Sequence, residues 1–275
     1  MMLIDGHARE QLPAGDRGLH FGDGVFETMA VVAGRALCLD RHLARLEDGC
    51  ARLAISAPGR GTLEAECARV CEGAERAVLK VIVTRGVGGR GYMPDLGAAP
   101  TRIVARYSWP DYRAGIGREG VAVRICRTRL GRNPRLAGIK HLNRLEQVLA
   151  RSEDNPGDCE EGLMLDDRGH VIEGIATNVF AIRSGRVCTP HLSECGVAGI
   201  VRALVLEEAR ALTGQEPEVA SLGVEELAGA DECFLTNSLI GVWPIHTIED
   251  APVATGPIAR QLLAALTERG AIIGD

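Results

Sequence analysis

The sequence predicts an α+β chain of two domains, and three observations predict it. Apolar runs of strand length alternate with helices over the first hundred residues. Short runs joined by turn residues form meanders in the second half, and a stretch rich in Pro, Gly and aromatic residues, 108–117, stands between the two halves. A chain of 275 residues is long enough to bury two modest cores. The expected division is a smaller N-terminal domain at 1–107, a linker at 108–119, and a larger C-terminal domain at 120–275 that carries Lys140. A cleft between two such domains is where a small ligand is expected.

The elements follow in order. Residues 24–33 and 77–84 are β-rich apolar runs. Asp40 opens a helix that sets Leu43, Leu46, Cys50 and Leu53 on one face and stops at Pro58-Gly59; a second helix runs from about Thr62 to Glu75. Strand 101–107 leads into the linker. Beyond it come strand Val121–Cys126, an irregular stretch from Arg129 to Gly138, and a helix over about 143–153. Strands at 161–166, 170–174 and 176–182 are joined by the turn signals Asp166-Asp-Arg-Gly169 and Arg183-Ser-Gly-Arg186. Gly199 precedes a helix to about Leu212, and Glu232–Thr236 is a further strand. The last helix has Pro257 near its start and Gly270 just past its end. There is no internal repeat.

Charge and composition narrow the function. A net charge of −6 with a pI near 5.7 argues against a general nucleic-acid or membrane-surface binder, while leaving room for a locally basic pocket. No segment has the order of a signal peptide, and no apolar run approaches the ~18 residues of a membrane span, so the cytoplasm is the expected location. The nine cysteines are scattered without a C-x-x-C pair or a histidine set to complete a zinc site, which reads as reduced thiols and no metal.

Lysine usage is the most informative count. Lysine occurs only at Lys80 and Lys140, so 29 of the 31 basic residues are arginine. A chain that writes its generic positive charge as arginine has reason to keep a lysine where a proton must be lost and a carbonyl attacked. Lys80 interrupts the strand 77–84 as a solvated lysine would. Lys140 stands instead where an irregular stretch meets a helix.

Gly86-Val-Gly-Gly-Arg-Gly91 matches a dinucleotide fingerprint, but Tyr92-Met-Pro-Asp-Leu-Gly97 after it does not open a helix, so a glycine loop edging a ligand cleft and carrying Arg90 and Tyr92 is the better reading. Glu173 interrupts a largely apolar β segment, where a carboxylate needs a positive partner such as a protonated pyridine nitrogen or a structural cation. Gly199-Ile-Val-Arg202 opens a helix whose first N–H groups make a phosphate cradle, as every helix start does. Thr236-Asn-Ser238 follows a strand and offers hydroxyl and amide donors or a capped turn. Arg45 is one of several arginines on its helix and stands out by nothing in the residues alone.

Together these residues resemble the fold-type IV family of pyridoxal-phosphate enzymes, two α/β domains with the cofactor in the cleft between them. The resemblance runs through Asp16-Arg-Gly-Leu-His-Phe-Gly-Asp-Gly-Val-Phe-Glu27, His42-Leu-Ala-Arg-Leu46, Lys140, Glu173, Asn178-Val-Phe180, Gly199-Ile-Val-Arg202 and Ala230-Asp-Glu232. It implies Lys140 as the Schiff-base lysine, Glu173 as the carboxylate facing the pyridine nitrogen and Arg45 as a phosphate ligand. It also implies backbone phosphate contacts from Ile200 and Val201, further contacts from Ser238 and Asn237, and Arg90, Tyr92 and Asn178 on the substrate side.

Within the family, Thr84–Tyr92 and Arg129–Leu149 are most similar to the lyase branch. The implied reaction turns 4-amino-4-deoxychorismate into 4-aminobenzoate, a folate precursor, and pyruvate, in a cytoplasmic homodimer with no nucleic-acid or membrane partner. A transaminase acting on D- or branched-chain amino acids is the alternative in the same fold, and a ligand-binding domain without activity is the alternative from another class.

Overall fold

The computed structural model describes residues 1–154 and 159–274. They fall into two compact units: Met1–Asp111 with Ile139–Asn143, and Tyr112–Gly138 with Arg144–Asp275.

In chain order the first unit comprises β1 (Met2–Ile4), β2 (His7–Ala8), α1 (Arg17–Phe21), β3 (Gly24–Val32), β4 (Arg35–Ala36), α2 (Leu39–Arg52), α3 (Arg60–Cys71), β5 (Arg76–Thr84) and β6 (Thr101–Ser108). Its sheet has the order β2-β1-β6-β5-β3-β4. β3 and β5 pair antiparallel along their whole length, from Gly24 opposite Thr84 to Val32 opposite Arg76. The period of two in β3 sends Val25, Met29 and Val31 into a core completed by Leu43, Leu46 and Cys50 of α2 and Leu63, Cys67 and Val70 of α3. Each leucine fully buried here contributes roughly 1.5–3 kcal/mol. The second helix ends at Cys71, short of Glu75, because Gly73 takes a left-handed φ of 68° that stops the helix.

The segment that carries Lys140 corrects the expected domain assignment. β4 covers only Val31 and Val32 of β3. At the other end of that strand edge the Phe26 N–H donates to the Lys140 carbonyl at 2.9 Å, and the Leu142 N–H donates to the Gly24 carbonyl at 3.0 Å. Ile139 enters the core beside Val25. Lys140 is therefore held by the first unit although its neighbours in sequence belong to the second. The expected helix over 143–153 is shortened to Leu145–Arg151; at its start Asn143 is still held by the first unit, its amide donating to the Gly22 carbonyl at 3.0 Å.

The second unit comprises α4 (Ile116–Glu119), β7 (Val121–Leu130), α5 (Leu145–Arg151), β8 (Glu161–Asp166), β9 (Val171–Gly174), β10 (Asn178–Arg183), β11 (Arg186–Pro190), α6 (Ile200–Thr213), β12 (Glu218–Ala220), α7 (Val224–Ala228), β13 (Glu232–Asn237), β14 (Gly241–Ile248), β15 (Ala251–Pro252) and α8 (Pro257–Glu268). Its sheet runs β12-β11-β10-β13-β14-β7-β8-β9, with β15 added to β14. The turns at 166–169 and 183–186 make the β8–β9 and β10–β11 hairpins. β14 lies between β13 and β7 although Pro244 sits inside it, a residue that reads as a break in a central strand. Among the described residues no helix is long and apolar enough to cross a membrane.

Candidate functional site

In the first unit, the pairing of 140–142 with β3 sets Lys140 against Phe26, with Nζ 4.4 Å from the ring centroid. Lys80 approaches the same ring, at 5.2 Å, because it stands opposite Thr28 on β5 and so shares a face with Phe26. That corrects the expectation of a solvated Lys80: the side chain is half-buried and uses the ring as its partner.

Behind Phe26, on the opposite face of β3, lies a buried cluster. α2 presents His42, Arg45, Leu46 and Gly49 at helical spacing toward β3. Gly49 permits the approach, for a Cβ there would stand 3.0 Å from Val25 Cγ1. Arg45 then forks onto Glu27, Nε to Oε1 at 2.7 Å and Nη2 to Oε2 at 2.5 Å. His42 Nδ1–H donates to Oε2 at 2.6 Å. Burial raises the Glu27 pKa, but the Arg45 charge and the His42 and Arg45 hydrogen bonds outweigh it and hold the carboxyl below its usual value. Burial pushes His42 down, so the imidazole is neutral. The residues alone gave Glu27 and His42 no role. The signal for Glu27 was present: it is a carboxylate inside an apolar strand, the same reasoning that singles out Glu173.

The glycine loop is clasped from below by Arg17, which is buried. Its Nη1 donates to the Gly91 carbonyl at 2.9 Å, Nη2 to the Tyr92 carbonyl at 3.2 Å and Nε to Asp23 at 2.8 Å. Turns and extended chain follow Gly91, with no helix before the linker. Arg90 and Tyr92 are both exposed, and the Tyr92 ring packs against Phe21 at 5.5 Å between centroids.

In the second unit, Glu173 is 4% exposed on β9, and its Oε2 accepts from the Val197 N–H at 2.8 Å. Two cations act on it, Arg144 and Arg202; burial pushes both guanidinium pKa values down while Glu173 pulls them up. The loop that Val197 belongs to runs into α6, whose ladder begins with Ala203 N–H to the Gly199 carbonyl. The N–H groups of Ile200, Val201 and Arg202 thus precede the first intrahelical bond. Gly199 carries no side-chain cap, and a Cβ there would sit 2.0 Å from Asn178 Oδ1, so this helix start is kept bare and closely approached.

β10 and β13 place Asn178 opposite Thr236. The buried Asn178 amide donates to the Val197 carbonyl at 2.9 Å and fixes the approach to α6. Asn237 is likewise engaged in the turn after β13: its amide donates to the Ala176 carbonyl at 3.1 Å, and its oxygen accepts from the Leu239 and Ile240 N–H groups. It shapes the turn that carries Ser238. Thr236 Oγ1 and Arg202 Nε are buried without a hydrogen-bond partner. Leaving such atoms unpaired costs about 1–3 kcal/mol each, so a polar ligand is what these positions suit.

The residues present fit pyridoxal phosphate. The first unit offers a lysine amine; the second, taken by itself, offers a buried carboxylate that suits a ring nitrogen, a bare helix start that suits a phosphate, and orphaned polar atoms near that start. No group of three or more His, Cys, Asp or Glu side chains among the described residues is arranged to hold a metal.

A family model described as amino-transferase class IV matches residues 24–248. The chain belongs to that family. Among class IV relatives, the aminodeoxychorismate lyase of Vibrio harveyi is 34% identical over 268 residues, 95% of this chain and 98% of that protein. A solved 4-amino-4-deoxychorismate lyase from Pseudomonas aeruginosa aligns with a TM-score of 0.93 at 43% identity, covering 99% of this chain and 100% of that one. The Escherichia coli branched-chain amino acid aminotransferase has a TM-score of 0.87 at 22% identity, covering 99% and 95%, and shares the fold. The class IV fold is the α+β, fold-type IV arrangement that the sequence implies.

Proposed function

We propose that this class IV protein is a pyridoxal-phosphate lyase that converts 4-amino-4-deoxychorismate into 4-aminobenzoate and pyruvate. One observation carries the reading: 43% identity across 99% of the chain to a solved 4-amino-4-deoxychorismate lyase, against 22% for the branched-chain aminotransferase of the same fold. The cofactor, when bound, supplies an aldehyde that captures amines and a ring that accepts electrons.

The protein's own residues do the rest. Lys140 is the covalent anchor for that aldehyde. When free of it, the Lys140 amine would take the proton from the ring carbon that bears the substrate nitrogen. Glu173 keeps a proton on the pyridine nitrogen, and Val197 in turn keeps Glu173 oriented. The N–H groups of Ile200 and Val201, the Ser238 hydroxyl and the Arg45 guanidinium bind the phosphate. Asn237 acts through the turn that holds Ser238. Loss of the proton and cleavage of the C–O bond release enolpyruvate, which takes up a proton to become pyruvate, and leave an aromatic ring, which drives the elimination forward. Arg90 and Tyr92 sit on an exposed loop suited to a substrate with two carboxylates. The working form is a cytoplasmic homodimer.

Supplied with 4-amino-4-deoxychorismate and no keto acid, the protein is expected to release 4-aminobenzoate and pyruvate in equal amounts. D-Alanine or L-leucine with 2-oxoglutarate serves as the control. Vigorous amino transfer with no 4-aminobenzoate would replace the lyase by a transaminase.

A further inference from the structure

We infer that Glu27 is the positioning residue that makes Arg45 a phosphate ligand, and that this buried pair strengthens the preference for a phosphorylated cofactor. The inference rests on the cofactor reading above. Arginine has five N–H donors on a flexible stem, and an unheld guanidinium samples many orientations before it meets an anion. Here two of those donors are spent on a carboxylate that cannot itself move. Glu27 is fixed in the middle of β3, is 0% exposed, and takes a third hydrogen bond from His42. The fork therefore sets the plane and direction of the guanidinium before any ligand arrives.

Electrostatics alone argues the other way. A carboxylate bidentate to Arg45 neutralises much of its charge, so a merely attractive site would do better without Glu27. The geometry favours orientation over charge. Glu27 is not a surface partner that salt would screen but a fully buried one, and its cost is offset only if the pair stays formed. His42, neutral and bonded to the same oxygen, keeps the carboxylate from swinging away from Arg45.

The test compares binding of pyridoxal phosphate and unphosphorylated pyridoxal to the cofactor-free full chain, by absorbance and by calorimetry. Three proteins are needed: parent, Glu27→Gln and Glu27→Asp. The parent is expected to prefer the phosphorylated form strongly. Both variants are expected to lose on the order of tenfold or more of that preference while binding pyridoxal as the parent does. Glu27→Asp keeps the charge and withdraws it by one methylene, so it separates position from charge and decides the point if Glu27→Gln does not fold. An undiminished preference in the variant, or equal weakening of both ligands, would overturn the positioning role. A parent that binds neither ligand, or both alike, would instead overturn the cofactor reading.

Discussion

In the first unit the buried carboxylate of Glu27 accepts from Arg45 twice and from His42 once, a cluster complete in itself. In the second, Thr236 Oγ1 and Arg202 Nε are equally buried and have no partner. The same chain thus buries polar groups in two ways. Where a side chain must be aimed, the protein supplies every partner. Where a partner is left out, as at Thr236 and Arg202, the cost falls on the protein's own stability unless a ligand meets it.

The largest expected effect removes the one group neither cluster replaces. Lys140→Ala should lower turnover on the order of a thousandfold or more, and borohydride should no longer fix the cofactor to the chain. Because Lys80 and Lys140 share the Phe26 ring, peptide mapping of the reduced parent is the decisive measurement; label on Lys80 would remove Lys140 from its role. Glu173→Ala comes next. It should retain much of the cofactor yet lose on the order of a hundredfold in rate, measured as 4-aminobenzoate release, since the pyridine proton would no longer be held. Near-parental turnover would make Glu173 a loop anchor for Val197 only.

Arg45→Ala should weaken pyridoxal phosphate binding about tenfold or more, with activity restored by excess cofactor. Equal affinity in mutant and parent would detach the closed cluster from the phosphate altogether. The smallest effect is the sharpest test of the contrast. Thr236→Val deletes an unpaired hydroxyl, so the cofactor-free protein should melt no lower than the parent, while cofactor affinity should fall about fivefold. A lower melting temperature without cofactor would mean that Thr236 Oγ1 is satisfied in solution and that the open cluster is closed after all.

Most of the fold was legible because it is written in periods. Val25, Met29 and Val31 alternate, Leu43, Leu46 and Cys50 recur at helical spacing, and Pro257 and Gly270 bracket the last helix. β14 escaped because Pro244 reads as a break. The placement of 139–143 escaped because Ile-Lys-His-Leu-Asn has no period; only the uncovered end of β3 shows where it goes. The site was legible by type but not by partner. Lys140 stood out through scarcity and Glu173 through its apolar surroundings, whereas Arg45 looks like any helix arginine until Glu27 is seen beneath it. Asn178 and Asn237 are short polar residues that serve equally as ligand donors or as braces for a turn, and composition does not separate those uses.

The return of Ile139–Asn143 to β3 also has a consequence for how the chain is born. β3 emerges from the ribosome long before the strip that completes its edge, with a hundred-odd residues made in between. At about 5–20 residues per second, the exposed end of β3 waits on the order of ten seconds for its partner. During synthesis the first unit is therefore an unfinished body with an open sheet edge, which is the kind of surface chaperones cover. A truncated chain ending at Asp111 never acquires that partner. Lys140 arrives with the last piece of the first unit to be synthesised.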